Sequence, residues 1–282
     1  MRTLPPPNQA AADVLATCVG GVTDLALQRR LAAITPQLVA AAANYDQLAR
    51  VQSLHQVVRT PNVGAVTRPE LEALYSQQMS ATNGAARAIY SALRNASPNG
   101  KCPLCGIGNV TVLDHHLPKA HYPNLSVCPF NLVPACDFCN NAKRARFPTR
   151  AEEQTIHPYY DDYSQEQWIF AQLNAAGPPA LVFHANAPGH WPLVDRLRAR
   201  RHFDVVKLGV SYTSNANDDL IPLRNHLTTI AASKGAAGVQ AYLAEEQARY
   251  ATRLNSWQHV MFQTLAANAW FVTGGYLNIP QH

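Results

Sequence analysis

A chain of 282 residues with 47% hydrophobic content has the material for one large domain or two ordinary ones, each with a buried core. Its longest apolar tract, Leu31 to Ala43, is broken by Thr35-Pro36-Gln37 and falls short of the roughly 20 residues a membrane-spanning helix needs, and Met1-Arg2-Thr3-Leu4-Pro5-Pro6-Pro7 lacks the apolar run of a secretory signal. A cytoplasmic protein with no membrane partner is therefore expected, and its formal charge of +5 is unevenly placed: residues 101–150 carry Lys101, Lys119, Lys143, Arg144, Arg146 and Arg150 against Asp114 and Asp137.

The first hundred residues read as helical. Apolar positions recur every three or four residues over Val22 to Leu38 and again over Leu71 to Leu93, and Thr67-Arg68-Pro69-Glu70 is a capping-box candidate with proline in the first turn. Asn95-Ala96-Ser97-Pro98-Asn99-Gly100 is turn chemistry and marks a boundary. The β-rich run Asn109 to Leu113 predicts a short strand leading into Asp114, and Asn131 to Pro134 a second one, with its proline tolerable at an end or edge. Asp137 is placed to cap a helix from Phe138 through Lys143 to about Arg146. An aromatic stretch follows, His157-Pro158-Tyr159-Tyr160-Asp161-Asp162-Tyr163, then a candidate strand at Leu181 to Phe183. Helices return from Trp191, and Val239 to Trp270, free of Gly and Pro before Gly274-Gly275, is the strongest helical pattern. These readings predict an α+β, mostly helical protein with a helical N-terminal region over 1–98, a small core over 99–165 and a mainly helical C-terminal region over 166–282.

The core carries the chemistry. Cys102/Cys105 and Cys136/Cys139 form two Cys-x-x-Cys pairs separated by 30 residues, which matches the ligand count of a closed tetrahedral zinc site. A closed thiolate shell leaves no position for substrate, so this Zn2+ is expected to be structural and to stabilise a region too small to fold by apolar burial alone. The plain alternative is four packed cysteines, the role expected of Cys18 and Cys128. Between the pairs lies Asp114-His115-His116-Leu117-Pro118-Lys119, and the second pair runs into Asn140-Asn141-Ala142-Lys143. Asp114 offers a charged oxygen and Asn140 a neutral one, a donor pair suited to Mg2+ (or Mn2+), which keeps several waters and completes its shell with phosphate. An adjacent histidine of ordinary pKa can take a proton from water at neutral pH. Strand alternation puts Asp114 and His116 on one face and His115 on the other, so pattern alone leaves the choice of base open.

The succession Cys102-x-x-Cys105, Asp114-His115-x-x-Pro118, Asn131-Leu132 and Cys136-x-x-Cys139-Asn140-x-x-Lys143 closely resembles the HNH endonucleases of the zinc-clasped ββα-metal kind. The likeness covers about 50 of the 282 residues and says little about the flanks. It implies a ββα-metal core in which Asp114 and Asn140 bind the catalytic divalent ion, His115 is the general base and Asn131 orients the loop between the strands. It also implies that Lys143 lies near the phosphate backbone, that the substrate is DNA, and that the products carry a 5′-phosphate. Lys119 and Arg144 are further candidates for substrate binding. His116, His121 and His157 are accessory candidates; the plain alternatives are a loop residue for His121 and aromatic packing for His157. Tyr159, Tyr160 and Tyr163 either stack on bases or belong to the core. The basic surplus either tracks a nucleic acid or solvates a face, and the same holds for Arg196, Arg198, Arg200 and Arg201.

The expected function is thus metal-dependent hydrolysis of DNA. The long flanks loosely resemble those of nuclease subunits in bacterial phage-defence systems of the Septu type, which implies an ATPase partner and antiphage defence; a homo-oligomer is the other assembly expected. A different class, a non-catalytic zinc module that binds nucleic acid or protein, explains the cysteines but gives no reason to gather an acid, a base and an amide.

Overall fold

The computed structural model describes residues 2–281 and divides into two compact units, Arg2–Asp162 and a second beginning at Tyr163. The helical region expected over 1–98 and the core expected over 99–165 thus share one unit. No helix among the described residues is long and apolar enough to cross a membrane.

In the first unit, α1 (Ala11–Gly20) packs on α2 (Leu25–Arg50). The Asp24 carboxylate caps α2 by accepting from the N–H groups of Ala26 and Leu27 at 2.9 and 3.2 Å. The helix outruns its expected end at Leu38 and passes through Pro36, because its buried positions Leu31, Ile34, Leu38, Ala42, Tyr45 and Ala49 keep the helical period across the proline. The predicted helix over Leu71 to Leu93 is instead two pieces. The capping box stands, with Glu70 accepting from the backbone and hydroxyl of Thr67 at 2.8 Å, and it starts α3 (Arg68–Ala73). The chain then widens into a π-helical turn, Leu74–Met79, and breaks before α4 (Arg87–Asn95). Gly84 permits the close turn at the break: a Cβ there would lie 2.3 Å from the Gln78 carbonyl oxygen.

β1 (Val112–His115) and β2 (Leu132–Ala135) form an antiparallel ribbon in which Leu113 faces Pro134 and His115 faces Leu132. β1 begins later than expected because Asn109 and Val110 pair with Lys101 and Gly100; it also includes Asp114 and His115. The His116 N–H donates to the Asn131 carbonyl at 2.8 Å, so alternation makes Leu113–Pro134 and His115–Leu132 the non-hydrogen-bonded pairs. Pro134 therefore sacrifices no ladder bond, and the carbonyls of Leu113, His115 and Leu132 point outward and need donors. They find Tyr75 Oη (3.1 Å), Lys143 Nζ (2.6 Å) and Tyr159 Oη (2.8 Å). Leu113, Val127 and Leu132 join the apolar core built with Val14, Leu31, Leu71 and Leu93, which fuses the ribbon to the helices. α5 (Asp137–Lys143) is shorter than predicted: Cys136, rather than Asp137, is its N-cap, and Arg144 ends it with φ 53°.

In the second unit, the candidate strand at Leu181 is half of a hairpin, β3 (Ile169–Asn174) with β4 (Ala180–Ala185). It is followed by α6 (Leu193–Val205) and by α7 (Leu208–Arg249), which is kinked at Gly235 (φ 64°). The helix predicted over Val239 to Trp270 breaks after Arg249 and resumes as α8 (Trp257–Ala266) and α9 (Ala269–Val272), capped by Ser256 and Asn268. The break follows from Asn255, whose side chain accepts from the N–H groups of Trp168 and Ile169 and donates to the carbonyls of Tyr163 and Glu166.

Candidate metal centre and the histidine-carboxylate site

Cys102 and Cys105 sit on a tight turn in which the N–H of Gly106 bonds the Cys102 carbonyl (2.7 Å) and that of Cys102 the Gly108 carbonyl (2.8 Å), with Gly106 at φ 76°. Cys136 and Cys139 lie at the start of α5. All four are buried, and their sulfurs lie within 4.8 Å of one another. Zn–S bonds of about 2.3 Å in a tetrahedron imply sulfur separations of about 3.8 Å, and Cys105 Sγ is 3.9 Å from Cys136 Sγ. The donor set therefore fits a structural metal such as zinc. Gly108 is part of the cage: a Cβ on it would stand 2.7 Å from Cys136 Sγ, whereas its N–H points at Cys105 Sγ (3.4 Å). Cys18 and Cys128 lie apart in apolar clusters, as expected of packing residues.

The cage anchors α5 beside β1. Asp114, buried at 4% exposure, meets Lys143 Nζ at 3.1 Å, and burial raises its pKa while Lys143 opposes the rise. Lys143, expected near a phosphate backbone, is 3% exposed here, and its side chain spans the Asp114 carboxylate and the edge of β1. Asn140, half-buried, precedes Lys143 by three residues and so shares its helix face. Arg144, just past the helix, is exposed.

His115 and His116 diverge, as alternation requires. His115 is buried, its ring edge against Tyr75 (centroids 4.4 Å, 70°) and its Nε2 2.8 Å from the Ser126 carbonyl oxygen. A carbonyl only accepts, so Nε2 carries the proton and Nδ1 keeps its lone pair. Burial pushes the His115 pKa down to about 3, with Lys119 and Lys143 adding to the fall, so the ring is neutral at physiological pH. His116 packs instead on His157 (4.1 Å, 37°). His157 is committed by both ring nitrogens: Nδ1 accepts from the Tyr159 N–H at 3.2 Å and Nε2 lies 2.9 Å from Tyr45 Oη. His157, an accessory candidate, thus serves in this structure as a packing platform for His116. Tyr159 and Tyr160 are likewise tied into the fold, to the Leu132 carbonyl and to Asp46 (2.6 Å), and Tyr163 bonds Asp195 (2.6 Å), so their hydroxyls serve structure. His121, on the loop, packs against Phe147 with the rings tilted (centroids 4.5 Å, 54°).

Asn131 is fully buried and spans the loop between the strands. Its Oδ1 accepts from the Leu117 N–H (2.7 Å), and its Nδ2 donates to the carbonyls of Leu117 (2.9 Å) and Leu125 (3.3 Å). Two contacts of His115, Tyr75 and the Ser126 carbonyl, escape any reading of the sequence. One comes from a helical turn 40 residues upstream, and the other is a backbone atom whose residue type carries no signal. Ser126 is itself held through its hydroxyl, which donates to the Leu71 carbonyl at 2.7 Å.

No family model matches the chain, and no solved structure does. Protein ea31 of Escherichia phage lambda is 30% identical to it over 296 aligned positions, which cover 97% of this chain and 100% of that protein. With similarity running the full length of both, the chain belongs to the family of protein ea31.

Proposed function

We propose that the chain is a metal-dependent HNH endonuclease that hydrolyses DNA phosphodiester bonds with His115 as general base. The observation that carries this reading is the succession of ribbon, thiolate cage and helix: Asp114 on β1 pairs with Lys143 on the helix that also bears Asn140, and the next residue, His115, holds a neutral imidazole oriented by the Ser126 carbonyl. Asp114 and Asn140 would hold a divalent ion, which supplies charge neutralisation at the leaving oxygen. His115 Nδ1 takes the proton of the attacking water, and the Ser126 carbonyl stabilises the imidazolium that results through the Nε2 proton. Burial makes His115 a weak base on its own; the negative charge of a bound phosphate raises its pKa toward the working range. Lys119 and Arg144 are the cations left to meet the phosphate backbone, since Lys143 is engaged inside.

A second reading, a zinc module that binds nucleic acid or protein without catalysis, is favoured by one observation: Lys143 already supplies Asp114 with a buried counter-charge. Plasmid nicking in Mg2+ or Mn2+ separates the two. His115→Ala is expected to lose at least about 100-fold in rate with zinc content and fold intact; nicking undiminished in that variant while His116→Ala is inactive moves the base to His116. An inert wild-type protein leaves the binding module. Because the similar protein ea31 is a phage protein, we propose the nuclease chemistry without the defence setting or an ATPase partner.

A further inference from the structure

We propose that Tyr75, on the π-helical turn of the N-terminal helical region, is a positioning residue that holds His115 and Lys119 side by side for the hydrolytic reaction. The inference rests on the nuclease reading of the site and extends it to a residue far outside the cysteine-bounded motif. Three separate contacts converge on this one side chain. Its hydroxyl donates to the outward-pointing Leu113 carbonyl at 3.1 Å, which fixes the ring to the strand that bears Asp114 and His115. Its ring meets the His115 imidazole at 4.4 Å and 70°, an edge-on approach. The Lys119 ammonium lies 5.7 Å from the same ring centroid, within the range of a cation–π contact. Together with the Ser126 carbonyl, Tyr75 leaves the imidazole one orientation, with Nδ1 bearing the lone pair.

The local backbone explains why a tyrosine reaches this place. Tyr75 lies inside the wide turn, and its carbonyl accepts the closing bond from the Ser80 N–H at 2.8 Å, five residues on. Single π-turns inside α-helices are uncommon and are frequent at functional sites. A core-filling residue would need no hydroxyl here; the one present is spent on the edge of β1.

The test uses the full-length zinc-loaded protein and reads His115 by long-range 1H–15N correlation of its ring nitrogens at neutral pH, together with single-turnover nicking of a supercoiled plasmid. The wild type is expected to show a single Nε2–H tautomer and cross-relaxation between the His115 and Tyr75 rings. Tyr75→Leu is expected to give a mixture of tautomers and a roughly 100-fold lower chemical rate with plasmid affinity nearly unchanged. Tyr75→Phe, which returns the ring, is expected to recover the single tautomer and much of the rate. A wild-type spectrum without contact between the two rings overturns the proposal even if Tyr75→Leu does not fold, and so does a Tyr75→Leu protein with wild-type tautomer and rate. A wild type that does not nick overturns the nuclease reading and with it the catalytic purpose assigned to Tyr75; the ring signals then judge the clamp by itself.

Discussion

Asn131 shows at the scale of one residue how a buried amide can stand in for secondary structure. The loop from Leu117 to Phe130 has no ladder of its own, and three of its backbone groups are satisfied by a single side chain. Asn131→Ala leaves the Leu117 N–H and the Leu117 and Leu125 carbonyls without this partner, a cost of about 3 kcal/mol for removing a fully buried hub. A urea midpoint shifted by that amount checks the claim, and a shift below about 1 kcal/mol sinks it. The motif drew attention to Asn131 and to the four cysteines, because ligand spacing and local order are carried by neighbours in the chain. It carried no sign of the surroundings of Lys143 and His157: a lysine on a helix and a histidine heading an aromatic block have the same sequence signature whether they face solvent or a buried carboxylate or tyrosine.

At the scale of elements, the two-stranded ribbon depends on its borrowed donors. With only two strands, each is an edge, and the outward carbonyls of Leu113, His115 and Leu132 are covered by side chains from three other segments. The helices obey similar local logic. The Glu70 carboxylate closes the capping box of α3 and pairs with Arg30 at 2.6 Å, and these hydrogen bonds, with Arg30 the largest cause, hold its pKa down to about 2. A carboxylate whose folded pKa is depressed stabilises the fold above its unfolded value of roughly 4.3 and loses that contribution as pH falls through the folded value. The stability difference between wild type and Glu70→Gln is therefore expected to be constant above about pH 5 and to close toward pH 2. Denaturant midpoints at pH 7, 4 and 2.5 measure it, and a difference that grows on acidification contradicts the assignment. The capping box was legible because it is written in four consecutive residues. The break at Gly84 was not: it depends on how close the Gln78 carbonyl lies, and no local pattern records that.

For the whole molecule, the division at Asp162 assigns the cysteine cage, the ribbon and the helices α1 to α4 to one unit with shared apolar clusters. The segment after the start belongs to it as well, since the Arg2 N–H bonds the Pro103 carbonyl (3.0 Å) and the Leu4 N–H that of Pro158 (2.9 Å). A chain ending at Asp162 is expected to fold cooperatively and to bind one zinc ion, and chelation is expected to unfold the cage region because metal binding and folding are linked there. Circular dichroism melts with and without chelator, alongside metal analysis, test this; an isolated segment 99–165 that folds as well as the longer chain argues against a shared core. The sequence by itself determined the four cysteines of the candidate metal site, the capping box, the order of strand, loop, strand and helix, and the absence of a long apolar span, since each is a matter of residue type at short spacing. Only the tertiary structure decided that Lys143 turns inward to Asp114, that Tyr75 and the Ser126 carbonyl orient His115, and that His157 is a platform for His116. Those contacts join groups distant in the chain, and which partner a polar side chain finds is settled by the packing of the elements that carry it.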